Sequence, residues 1–171
     1  AQGLKLKYIN LKLLKYGEEI YSEFGDLEIR NNYLDGPLII SASMYIDQDP
    51  RAYQLEIDLK PALDYQTLDQ RILRDFEKYS NKFFGNSLGD LLPQKLIPIV
   101  INLSSIDYDK TVNQITAAER EELIQLLKNL KLNIKGKKGF ERAIVTRGGV
   151  STEEIDPKTM ESRLITDLYF A

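Results

Sequence analysis

The 171 residues contain no histidine, no cysteine and no tryptophan. Without histidine the chain lacks the commonest general base, the base of a hydrolytic triad and the commonest metal ligand. Without cysteine there are no disulfides and no thiolate metal sites, and the compartment is left open. No apolar run reaches the roughly 20 residues of a membrane span, and no signal peptide is visible. Acidic and basic residues nearly balance, 26 against 23. The formal net charge is -3, which gives no electrostatic reason to expect a nucleic acid or a membrane surface. Hydrophobic residues make up 43% and charged residues 29%, ordinary for one or two small soluble domains.

What is present changes period along the chain. From Leu4 to Leu14 the pattern alternates, but its parity flips at Tyr8-Ile9, which predicts a long strand with a bulge. Tyr16-Gly17-Glu18 is the turn, and Glu19–Phe24 and Asp26–Arg30 continue a meander. Asp35-Gly36-Pro37 opens an apolar helix over Leu38–Ile46, with proline at the first helical position. Ala52–Leu59 alternates again. After the cap candidate Asp64, Tyr65, Leu68, Ile72, Phe76 and Tyr79 fall at helical spacing. Ser87–Ile101 is apolar and broken by Pro93 and Pro98. Thr116 and Glu119 form a capping box before Leu123, Ile124 and Leu127. Leu130, Leu132 and Ile134 restore a period of two, and Gly136–Gly139 reads as a hairpin turn with a return strand over Phe140–Thr146.

The expected fold class is α+β. Residues 1–63 and 130–171 would form a barrel-like, mainly antiparallel β subdomain, and residues 64–129 an inserted helical subdomain. No strand–GxGxxG–helix pattern occurs, so the chain by itself should not build a dinucleotide site. Glu18, Glu19, Glu23, Asp26 and Glu28 could do acid–base or metal chemistry, or could decorate an exposed sheet. Lys131, Lys135, Lys137, Lys138, Arg142 and Arg147 could meet RNA or a cofactor phosphate, or could be solvated hairpin charge. No catalytic residue and no metal ligand is assigned.

The last segment carries a resemblance. Thr146, Gly148-Gly149-Val150, the run Glu154–Ser162 and the closing Leu168-Tyr169-Phe170-Ala171 resemble the aminoacetone oxidase-type family of NAD(FAD)-utilising, FAD-dependent oxidoreductases. The likeness extends through Ser22–Gly25, Asp35-Gly36-Pro37, Ile57–Pro61 and Asp90–Pro98. In that family a Thr-His pair, a Gly and a Ser stand where this chain has Arg30-Asn31, Tyr33 and Asp35, so no role of that histidine carries over. The resemblance implies an inserted domain without its flavin-binding domain: a substrate-side cap, inactive alone and cytoplasmic. FAD would be bound by the parent protein and none by this fragment, whose partners would be the absent flavin domain and the parent's small-molecule substrate. Neither a membrane nor a nucleic acid is expected as partner. The final apolar strand, stopping at Ala171, looks like a cut. Thr146, Arg147, Gly148 and Gly149 would face the flavin domain. Gly36 and Pro37 would be a weaker contact through a helix N-terminus, or simply the start of a helix plugging the barrel. The competing class is a binding or oligomerisation module for RNA or protein, without flavin chemistry.

Overall fold

The structure is a computed structural model that describes residues 3–170 except Gln48, Phe140, Arg142 and Val145–Arg147. Five antiparallel strands form one curled half-barrel sheet in the order β3-β2-β1-β4-β5. They are β1 (Leu4–Lys15), β2 (Glu18–Ile29), β3 (Leu34–Asp35), β4 (Tyr53–Asp58) and β5 (Leu130–Asn133). Four α-helices complete the α+β fold: α1 (Pro37–Ser43), α2 (Tyr65–Lys78), α3 (Ile97–Leu103) and α4 (Ala117–Lys128).

The two long strands pair from Leu4 with Ile29 to Lys15 with Glu18, and the register slips between Leu6 and Ile9 and again between Leu13 and Leu14. The expected bulge is therefore present, but its effect on the faces differs from strict alternation. Leu4, Leu6, Ile9, Leu11 and Leu13 are all buried, and Tyr8 is turned outward. Alternation had put Tyr8 beside Leu6. The extra residue of the bulge moves Ile9 into the inward position instead. Leu11 and Leu13 then face Ile57 and Leu55 of β4, which keeps one apolar layer continuous across the sheet.

Helices α2 to α4 lie in sequence between β4 and β5. Asp64 accepts the Thr67 amide at 2.7 Å and starts α2, which buries Leu68, Ile72 and Phe76. Pro98 sits in the first turn of α3, where its missing N–H costs nothing. The Thr116–Glu119 capping box starts α4, which buries Leu123, Ile124 and Leu127. The sheet and the helices share one apolar cluster, running from Leu4 to Leu130. Lys128 ties them at the rim, because its ammonium reaches Asp58 Oδ2 at 2.6 Å and the Leu63 carbonyl at 2.7 Å.

Residues 134–139 do not form the expected hairpin turn. Lys137 donates to the Ile46 carbonyl at 2.7 Å, and Lys138 lies against the Tyr33 ring. These contacts draw the segment toward the α1 side of the half-barrel instead of back along β5. The expected return strand lies largely outside the described residues, and Glu141, Ala143 and Ile144 are in no strand.

Two compact units divide the chain, Ala1–Gly139 and Phe140–Ala171. In the second, Ile155 bridges Ser162 and Glu161 bridges Tyr169. The expected closing strand is reduced to that one bridge residue, because Asp167 takes a positive φ of 63° and turns the chain. None of the described residues of this unit is buried.

Candidate functional site

The junction residues sit at the start of the second unit. Thr146 and Arg147 lie outside the described residues. Gly148 and Gly149 have φ of 126° and 124°, and a Cβ on either would meet nothing within 4 Å. Both therefore need glycine for their backbone conformation rather than for space. Further along, Asp156 accepts the Lys158 amide at 2.8 Å and the Thr159 amide at 3.3 Å, which hold its carboxyl below the usual carboxylate range. Ile144, Val150, Leu164, Ile165 and Tyr169 are exposed. The segment is thus a hydrogen-bonded scaffold carrying apolar side chains with no core of its own.

Gly36 and Pro37 open α1 as expected. Gly36 has φ 105°, and a Cβ there would come within 3.3 Å of Leu27 Cα in β2. Its amide donates to Asp35 Oδ1 at 2.8 Å, and its carbonyl accepts from Ile39 and Ile40. The glycine lets α1 press against β2, with Leu38 packed on Gly25. Close helix–sheet packing thus holds Gly36, and Pro37 occupies the first turn of α1.

A cavity of about 260 Å³ is lined by Gly3, Arg30, Asn31 and Tyr33. It occupies the position where the chain departs from the Thr-His pattern. Arg30 is held by Glu28 at 2.9 Å and Asp35 at 3.3 Å, so its charge is already matched.

The acidic meander does not converge. Glu19 pairs with Lys12, Glu23 accepts from Tyr21, Asp26 takes the Tyr8 amide, and Glu28 holds Arg30. Among the described residues no carboxylate group is arranged to hold a metal. Partial burial, and then the Glu23 carboxylate, push the Tyr21 phenol above its usual range. Burial, and then the nearby Arg71, push the Lys60 ammonium down. The basic residues disperse too, since Lys131 faces Glu56 at 3.8 Å while Lys137 and Lys138 are engaged as above.

Composition and motifs missed a pair of exposed rings. Tyr8 and Phe24 lie on the outer face of β1 and β2 with centroids 6.4 Å apart and planes 27° from parallel. The only trace in the sequence is the parity flip itself, which marks a residue whose direction has been reset. Among the described residues, no helix is long and apolar enough to cross a membrane.

Comparison with known proteins adds a family. The family described as HI0933-like protein barrel and H2TH domain matches residues 1–145. The chain is similar to the ribosomal RNA dihydrouridine synthase of Escherichia coli (strain K12), with 31% identity over 139 residues, 80% of this chain and 32% of that protein. It is similar to the 3-dehydro-bile acid delta(4,6)-reductase of Clostridium scindens, with 27% identity over 157 residues, 90% of this chain and 38% of that protein. The ribosomal RNA dihydrouridine synthase of Haemophilus influenzae matches at 28% over 149 residues, 87% of this chain and 35% of that protein. The chain thus spans little more than a third of the length of these curated relatives.

Proposed function

Because the chain belongs to the HI0933-like barrel and H2TH domain family, we propose that it is the substrate-side cap of an FAD-dependent oxidoreductase of the aminoacetone oxidase-type, NAD(FAD)-utilising kind. The observation that carries the reading is the chemistry shared by the relatives' names. A dihydrouridine is a uridine with hydrogen added across its ring double bond, and a delta(4,6)-reductase acts on ring double bonds. Both reactions add a hydride and a proton to an unsaturated ring. A bound flavin would supply the hydride.

The described residues fit the flavin only in part. Gly148-Gly149 offers open backbone that another surface can approach closely, and the exposed apolar side chains beside it support contact with a further domain. No GxGxxG loop occurs in the sequence, so the cofactor's phosphates would be held by that domain. The half-barrel and its helices contribute a rigid wall that shelters the reacting ring from water and shapes the pocket. The parent protein should reduce an unsaturated ring substrate at the expense of NADH or NADPH, and this chain alone should not. A parent in which residues 1–139 are replaced by a short linker should keep its flavin and lose turnover of that substrate. Undiminished turnover would overturn the cap.

A second reading concerns the substrate. Two of the named relatives act on ribosomal RNA, which favours an RNA over a free small molecule.

A further inference from the structure

We propose that Tyr8 and Phe24 form a stacking site for a nucleobase of single-stranded RNA. The inference rests on the RNA reading of the substrate and names the residues that would meet it. Tyr8 is 70% exposed and Phe24 58%, unusual for two large rings side by side on one sheet face. Tyr8 also holds a φ of 56°, a left-handed conformation that is unfavourable for a non-glycine residue. The fold fixes it there. The register slip leaves Tyr8 unpaired in the ladder, and its amide donates instead to Asp26 Oδ1 at 3.0 Å. Strain held in place by a side-chain hydrogen bond, at a bulge that turns an aromatic ring from core to solvent, is a costly way to make a surface.

The surroundings of the rings select the occupant. Asn10 lies opposite Phe24 in the ladder, and its amide donates to Ser22 Oγ at 3.5 Å. That amide and that hydroxyl can address a base edge beside the rings. Lys5 and Lys7 are exposed on the same stretch, and among the described residues neither is in an ion pair. They can meet phosphates next to a stacked base, whereas Lys12 is shared between Glu19 and Glu56. Asp26, whose Oδ1 takes the Tyr8 amide, lies beside the rings as well, so the site cannot draw RNA in by charge alone. The π-faces must contribute most, as in platforms that bind unpaired strands with little sequence preference.

The test is a titration of the 171-residue chain with a fluorescently labelled uridine-rich single-stranded RNA, with wild-type and variants checked by circular dichroism. Tyr8→Ala and Phe24→Ala should each weaken binding about ten-fold, and Tyr8→Phe should leave it nearly unchanged. Lys7→Gln should weaken binding less and flatten its salt dependence. If Tyr8→Ala does not fold, Phe24→Ala and Tyr8→Phe carry the comparison. Absence of RNA binding, equal binding by the alanine variants, or displacement by heparin but not by RNA overturns the proposal. So does protection of Tyr8 and Phe24 in the full-length parent without RNA, which would make the rings an interdomain contact. Flavin content of the parent is read separately, so RNA binding can fail while the cap stands.

Discussion

Gly36 is the residue whose replacement should be felt most directly in the isolated chain. Its φ of 105° and the 3.3 Å approach to Leu27 Cα leave no room and no conformation for a methyl group. Gly36→Ala should cost about 1–3 kcal/mol, read as a lower urea midpoint with unchanged slope. Gly149 has the same need for positive φ but open space around it. Gly149→Val should therefore strain its own turn yet leave the unfolding of residues 1–139 unchanged, because no described side chain around it is buried. In the parent it should impair flavin binding or turnover. A variant that unfolds the chain yet leaves the parent's flavin kinetics intact would make the turn structural only. These two glycines were visible as glycines in the sequence. Their different surroundings were not, because the approach of β2 to Gly36 is a long-range contact that no local pattern encodes.

Among the elements, α4 is fixed at both ends by side chains. At its start Glu119 accepts from Lys110 at 2.6 Å and from the Thr116 amide at 2.8 Å, and the Lys110 ammonium, with Thr116, holds its carboxyl down to about 2. A folded-state value below the ordinary 4.5 stabilises the fold above that pH and loses the effect as pH falls toward 2. Glu119→Gln should lower Tm at neutral pH, and its difference from wild type should shrink across that window in a series of thermal scans. Thr116→Ala should cost about 1 kcal/mol. At the other end Lys128 is only 10% exposed and pairs with Asp58 while donating to two carbonyls. Lys128→Met would strand the Asp58 carboxylate, at a cost of about 3 kcal/mol in chemical denaturation. The capping box, the Asp64 cap and the long strands were legible in the sequence, because each depends on neighbours within a few residues, whereas Pro98 opens α3 where a break was expected. The short strand β3 and the course of residues 134–139 were not. Two residues give no period, and Lys137 is committed by a carbonyl 91 positions away. The aromatic pair was half legible. The flip of parity marked Tyr8, but only the bulge decides which way its ring points.

At the scale of the whole molecule, the sheet and helices share one core, so residues 1–139 should unfold in a single transition. Removing residues 140–171 should leave that transition within a few degrees of the intact chain by calorimetry, since no described side chain there is buried. The period changes mark a helical block, and α2 to α4 lie between β4 and β5. The separate character of the last 32 residues was hidden, because its apolar residues read as strands when no partner surface is in view. The same exposed residues support the central claim, that this chain is one part of a flavin-dependent reductase and does not hold the cofactor itself. The absorbance spectrum of the purified full-length parent, set against that of this chain, tests it most directly. The account predicts a parent with stoichiometric FAD, bleached by NADH or NADPH, and a colourless chain that takes up no flavin on dialysis against it. A parent without flavin, or a chain that binds FAD stoichiometrically on its own, would contradict it.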